Sequence, residues 1–183
     1  MSATEIIESS QYLTFKLDQE IYALDITQVR EVLDFTEVTK VPRMPPFMRG
    51  VINLRGGVVP VVDLHLKFGM DGSDRTVDTC IIIMEISIEG ENTLLGALAD
   101  SVQEVMTLEA EQIEPPPRIG TRLNTEFIRG MGKKNDDLII ILDIDRVFSS
   151  EELVVIQAAE DVNNQGQVFQ SDEVVEEARE MAV

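Results

Sequence analysis

The chain has 183 residues, is 44% hydrophobic and 5% aromatic with no Trp, and carries a net charge of −19. That length fits one domain, or two small units sharing a core. The charge opposes nucleic acid as a partner, the lone Cys80 excludes an internal disulfide, and no apolar run approaches the ~20 residues of a membrane span.

The N-terminus is polar and acidic and does not read as a signal peptide, so a soluble cytoplasmic protein is expected; residues 1–11 read as a flexible lead-in. Tyr12–Leu17 alternates apolar and polar residues, as a half-buried strand does, and Ile21–Leu24 returns as its hairpin partner. Asp25 is placed to cap a short turn over Ile26–Val29, and Glu31–Phe35 reads as a strand. Pro42, Pro45 and Pro46 make 40–47 a loop, followed by one predicted helical turn over Phe47–Gly50. Val51–Leu54 and Val58–Val62 are strands about Gly56-Gly57; Pro60 requires an edge position or an outward-facing nitrogen. Residues 69–78 form a polar linker.

Cys80–Ile88 is apolar enough for a strand buried on both faces, and Thr93–Ala99 returns from it. Val102-Gln103-Glu104-Val105 echoes Val29-Arg30-Glu31-Val32, and Pro115-Pro116-Pro117 echoes the first proline loop. Ser149 and Glu152 have capping-box spacing and predict a helix through Leu153, Ile156 and Gln157. A linker over Asn163–Gln170 and a weakly amphipathic acidic helix over Ser171–Met181 are expected beyond it.

Two stretches are alike. Phe47–Phe68 (FMRGVINLRGGVVPVVDLHLKF) and Phe127–Phe148 (FIRGMGKKNDDLIIILDIDRVF) align without a gap at Phe, Arg-Gly, Asp and terminal Phe. Average composition gives ~1 identity over such a window, so five in the same order indicate a duplicated unit. Short strands in units of ~60 residues predict two small closed barrels, since closure removes exposed sheet edges. The seam between them would suit a docking partner.

Catalytic chemistry is poorly represented. His65 is the only His, and no phosphate loop, nucleophile elbow or dinucleotide fingerprint is present. His65, following a strand end, reads as a surface or partly packed residue, and Cys80 as a buried inert thiol. Asp63 and Asp143 read as caps for the turns that follow them, and metal-ligand spacings are missing. What stands out is charge. Val38–Val62 holds Lys40, Arg43, Arg49 and Arg55 and no acid, a local +4, whereas Ser149–Val183 holds nine acids against Arg179, a local −8. Arg55, beside a glycine turn, is placed for bidentate contacts to an acidic or amide-rich partner.

VREV, PPFMRGVINLRG, VVPVVDLHLKF, LEAEQIEPPP and LIIILDIDRVF together resemble the CheW family of bacterial chemotaxis coupling proteins, over about residues 12–150. His65 stands where the family usually has Arg. The resemblance implies an all-β fold of two intertwined, five-stranded SH3-like barrels with short helices: barrel one about 12–68, linker 69–78, barrel two about 79–148, and 151–183 a helix and acidic tail. It implies a non-enzymatic adaptor without cofactor or metal. Such an adaptor couples the cytoplasmic tips of methyl-accepting chemoreceptors to the regulatory domain of the histidine kinase CheA, in arrays at the inner membrane. Receptor contacts would fall on Val29, Glu31, Arg49, Gly50 and Arg55, and kinase contacts on Glu114, Arg118 and Ile119. Ile119 stands where the family has Phe. A small-ligand sensor using the inter-barrel seam is the alternative.

Overall fold

The computed structural model describes residues 9–72, 74–116 and 126–168, with backbone alone for Ser9 and 161–168. Eleven strands run in chain order: β1 (Ser9–Leu17), β2 (Glu20–Asp25), β3 (Val29–Asp34), β4 (Met48–Leu54), β5 (Gly57–Asp63), β6 (Cys80–Ile88), β7 (Glu91–Ala99), β8 (Ser101–Glu109), β9 (Ile113–Glu114), β10 (Ile128–Lys134) and β11 (Asp137–Leu142). One-turn helices α1 (Leu64–Lys67) and α2 (Ile144–Val147) follow β5 and β11, and α3 (Ser150–Val168) closes the described chain. Among the described residues no helix is long and apolar enough to cross a membrane.

The strands form two sheets, ordered β3-β6-β7-β5-β4 and β8-β1-β2-β11-β10-β9. The expected hairpins and apolar strands are present, but the boundaries of the barrels do not follow the chain. Hairpin β1–β2 pairs with β8 and, in parallel, with β11. Hairpin β6–β7 pairs with β3 and, in parallel, with β5. Each repeat therefore lends its first hairpin to the other repeat's sheet, which corrects the contiguous division into 12–68 and 79–148. Two short breaks cause the exchange. A 3-10 turn at Ile26–Gln28, capped by Asp25 accepting the Thr27 N–H at 2.9 Å, re-aims the chain after β2. Between β7 and β8 only Asp100 intervenes.

Both sheets close by the same device. The segment after β3 returns to bridge β4, with Thr39 and Val51 exchanging backbone hydrogen bonds of 2.9 and 2.8 Å. The segment after β8 returns as β9 and pairs with β10. The closing segment crosses tightly over the repeated glycine. A Cβ on Gly50 would lie 2.0 Å from the Thr39 carbonyl oxygen, and its φ of +139° disfavours any side chain. On Gly130 the Cβ would lie 2.7 Å from Ile113 Cγ2 and 2.9 Å from the Glu114 carbonyl oxygen. Because Val51 turns both its backbone groups toward Thr39, its partner Pro60 faces it in a non-hydrogen-bonded pair, where the missing N–H costs nothing.

Three apolar clusters result. Small interiors fill each barrel, one around Ile52, Val61, Ile81 and Ile83, the other around Tyr12, Met106, Leu108 and Ile141. The largest cluster lies between the barrels and includes Phe15, Leu24, Val62, Ile82, Met84, Leu142 and Ile156. β6 feeds alternate residues to the two sides, as its unbroken hydrophobicity requires. Each such side chain contributes ~1.5–3 kcal/mol on burial. The repeated phenylalanines meet across this core. Phe47 packs on Phe148 with ring centroids 5.7 Å apart, and Phe68 stacks on Phe127 at 4.9 Å. Among the described residues the seam is thus filled by a packed core.

Three local expectations differ. The helical turn at Phe47–Gly50 is strand from Met48 onward, because Met48 and Gly50 pair with β5 across a bulge. β1 begins at Ser9, inside the lead-in, because Ser9–Gln11 pair with β8. The capping box forms, with Glu152 N–H to Ser149 Oγ at 3.1 Å and Ser149 N–H to Glu152 Oε1 at 2.8 Å. The helix then continues through Val168, past Asn163, where a linker was expected. It lays buried Ile156 and Ala159 into the inter-barrel core. The helix expected at Ser171–Met181 lies outside the described residues.

Candidate functional site

The turn between β4 and β5 has two residues, Arg55 (φ +50°) and Gly56 (φ +87°), both left-handed. Such a turn matches the twist of a hairpin, and Asn53 Oδ1 supports it by accepting the Gly56 N–H at 2.9 Å. A non-glycine residue at positive φ is disfavoured by roughly 1 kcal/mol or more, so Arg55 occupies its place against local preference. Its side chain is 73% exposed. Glu31, on β3, lies behind it. Both guanidinium Nη groups donate to the Glu31 carboxylate, one of them at 3.4 Å, and the contact holds the guanidinium above its ordinary pKa. β3 and β4 are the outer strands of their sheet, so the ion pair also spans its closure.

The other expected contact residues divide between this corner and the far end of β4. Val29 begins β3 opposite Met84 and packs against the inter-barrel core. Arg30 points outward and pairs with Glu85, beside exposed Val32. Arg49 lies six residues before Arg55, roughly 20 Å along the strand. It is half exposed, with Nη1 4.0 Å from Asp63 Oδ2. Gly50 is buried under the Thr39 crossing and has no side chain to offer, so its part is closure of the barrel. Arg49 and Arg55 thus lie at opposite ends of β4 rather than in one patch. Of the expected kinase contacts, Glu114 lies on β9 with its carboxylate 2.8 Å from Lys133 Nζ, while Arg118 and Ile119 lie outside the described residues.

His65 is the feature sequence reasoning placed wrongly. It is 3% exposed, fully buried rather than the surface or partly packed residue expected. Asp63 caps α1 as expected, accepting the His65 backbone N–H at 3.0 Å. The same carboxylate oxygen meets His65 Nδ1 at 2.9 Å, while His65 Nε2 lies 2.9 Å from Asp100 Oδ2. Asp18, in the β1–β2 turn, donates its N–H to Asp100 Oδ2 at 2.6 Å, and its own Oδ1 lies 3.9 Å from Nε2. The hydrogen bond to Asp63, against the effect of burial and with help from Asp100, raises the imidazole pKa to about 9. Burial acts to raise the Asp63 pKa, but its contacts with His65 and then Arg49 outweigh burial and hold it below the ordinary value. The available signal was an Asp two residues before a lone His at a strand-to-helix junction. The second repeat differs here, since Asp143 makes no side-chain cap and instead sits 3.5 Å from Arg146. Cys80 is buried as expected, and burial pushes its thiol up to about 11. A cavity of about 240 Å³ beside His65 is bounded by Phe35, Arg49, Asp63, Arg75 and Asp100, with Arg75 over the Phe35 ring.

Residues 11–152 match the family model of the CheW-like domain. The chain is 35% identical over 146 residues to the chemotaxis protein CheW of Klebsiella aerogenes, covering 80% of this chain and 86% of that one. It is 30% identical over 151 residues to the CheW of Treponema pallidum, with the same two coverages. The crystal structure of the scaffolding protein CheW from Thermoanaerobacter tengcongensis superposes with a TM-score of 0.69 at 38% identity, covering 78% of this chain and 94% of that one. Fold, repeat and match agree, and the chain belongs to the CheW-like domain family.

Proposed function

We propose that this protein is a non-enzymatic chemotaxis adaptor that couples the cytoplasmic tips of chemoreceptors to the regulatory domain of the histidine kinase CheA. The observation that carries the reading is Arg55, held outward on a left-handed turn and oriented by Glu31. A guanidinium fixed in this way has lost much of its side-chain freedom before a partner arrives, and it presents a fork to carboxylate or amide groups. In a chain of net −19 it is also a local site of opposite charge that can set the orientation of an acidic partner. Relatives named as chemotaxis proteins and a scaffolding protein support the same role. The receptor surface is then Glu31 and Arg55 with Val29 alongside, extended along β4 toward Arg49, with Gly50 keeping the strand closed. The kinase contacts would include Glu114, on β9 of the other sheet, with Arg118 and Ile119 following it in the chain.

The test is co-purification of the protein with a receptor hairpin tip and with the CheA regulatory domain, mixed and separately. Arg55→Glu should lose the receptor tip and retain the kinase domain. A charge-reversed protein that still bridges the two would overturn the site.

A further inference from the structure

His65 is buried at the point where the two barrels exchange chain, and the adaptor reading makes no use of it. Its imidazole touches three segments: the end of β5 through Asp63, the β7–β8 crossing through Asp100, and the β1–β2 turn, whose Asp18 reaches Asp100 through its N–H. We propose that His65 is a positioning residue, a buried cation that clamps the crossing between the barrels and, through Asp63, fixes Arg49 for a carboxylate-bearing partner. The clamp stands on the geometry alone. Its effect on a partner rests on the adaptor reading above.

The charge state follows from counting protons. Each ring nitrogen lies 2.9 Å from a carboxylate oxygen. A neutral imidazole has one N–H, so its other nitrogen would set a lone pair against an ionised carboxylate. A second proton removes that conflict. It stays on the ring, because imidazole is intrinsically the stronger base of the two. The groups facing the ring are Asp63, Asp100 and Asp18, with Arg49 on the far oxygen of Asp63 and Asp74 and Arg75 across the adjoining cavity. The two carboxylates in hydrogen-bond contact with the ring, Asp63 and Asp100, are thus both met by an N–H when the ring is protonated. Asp63 cannot rotate without losing its contact with the ring. One carboxylate oxygen takes the ring and backbone N–H groups of His65, which leaves the other turned toward Arg49. The raised pKa agrees with this assignment, so the clamp is closed at neutral pH and releases near pH 9.

His65 is the only histidine, so its ring gives one unambiguous NMR signal. The experiment follows that signal, the backbone amides of Asp18 and Asp100 and the Arg49 side chain from pH 6 to 10. In parallel, receptor-tip affinity is measured over pH 7–10 for the native protein and for His65→Arg, which keeps the charge but does not titrate in this range. The expected result is one midpoint near 9 shared by ring, amides and Arg49. Affinity should fall several-fold through that midpoint in the native protein and stay level in His65→Arg. A ring midpoint of 6–7, or amides that ignore the ring, would overturn the clamp whether or not the variant folds. Equal pH profiles for the two proteins would overturn the role of Arg49. Absence of receptor-tip binding at any pH, with the shared midpoint intact, would remove the adaptor reading and the partner half of the proposal while leaving the clamp.

Discussion

The two repeats use the same means to close a barrel and different means to finish it. β4–β5 and β10–β11 share a register shift at the same place, between Met48 and Gly50 and between Ile128 and Gly130. Asp63 and Asp143 each donate a backbone N–H, at 2.7 Å, to the carbonyl of the phenylalanine that opens their repeat. Beyond that the copies part. The first turn carries Arg55 and Gly56, the second Asn135 and Asp136, all at positive φ. The first Asp binds a buried imidazolium, while the second has only a nearby exposed Arg146. What both copies share serves the barrel. Arg55 with Glu31 and His65 with its carboxylates are absent from the second copy, which closes without them.

The largest expected effect tests the shared part. Gly50→Ala places a Cβ 2.0 Å from a backbone oxygen at positive φ, and should destabilise by about 3–5 kcal/mol in urea unfolding. Gly130→Ala meets a movable Ile113 side chain and a less severe backbone contact, and should cost about half as much. Equal losses would mean that the two closures are alike in tightness, against the closer approach at Gly50. The next effect separates the copies. His65→Gln removes the charge between buried Asp63 and partly buried Asp100 and should cost about 3 kcal/mol at pH 7. Asp143→Asn loses only an ion pair that is 69% exposed at Arg146 and should be near neutral. The His65 pKa rises on folding from 6.5 to about 9, so its contribution is complete below pH 6.5 and is lost as pH rises toward 9. The Asp63 pKa is lowered on folding, so its contribution is present above its unfolded value near ~3.9 and is lost as pH falls through the folded one. Urea midpoints across pH 3–10 should therefore decline at both ends, and His65→Arg should remove the alkaline decline alone.

Much of this was legible in the residues, and the gaps have physical causes. Alternation along Tyr12–Leu17 and the twin Arg-Gly motifs reported strands, and the twin phenylalanines marked the ends of a repeated unit. A period of two shows which face of a strand is buried but not which strand lies beside it. The parallel pairs β5·β7 and β2·β11 join segments far apart in the chain and leave no local mark, so the exchanged hairpins went unread in the residues themselves. His65 failed for a related reason. Its second carboxylate partner is Asp100, 35 residues away, and only the crossing between sheets brings it near. Arg55 was legible because its signal is local: a glycine turn, and no acid within the surrounding window.

Arg55→Glu should lower receptor-tip affinity roughly tenfold or more with the urea midpoint unchanged, since the guanidinium lies in solvent. Lys134→Glu, in the matching corner of the other repeat and 3.7 Å from Glu104, should change neither. If both charge reversals weaken binding alike, the partner is responding to net charge rather than to a fixed fork, and the distinction between the corners fails.

The smallest effect lies where the repeats leave their last strand. After Phe68 the chain turns at Gly69, φ +76°, into the linker, whereas after Phe148 it enters α3 through the Ser149–Glu152 box. Ser149→Ala removes one cap acceptor, usually worth about 1 kcal/mol. Here Glu152 has a second hold, because both its oxygens lie 2.9 Å from Lys67 Nζ, on the helix that ends the first repeat. The start of α3 is thus pinned across the repeats even without its own cap, and the loss should stay near the low end, about 0.5 kcal/mol. Lys67→Ala combined with Ser149→Ala should then cost more than the sum of the single changes, because each alone leaves the other contact to hold Glu152. Simple additivity in urea unfolding would show that the two contacts act independently.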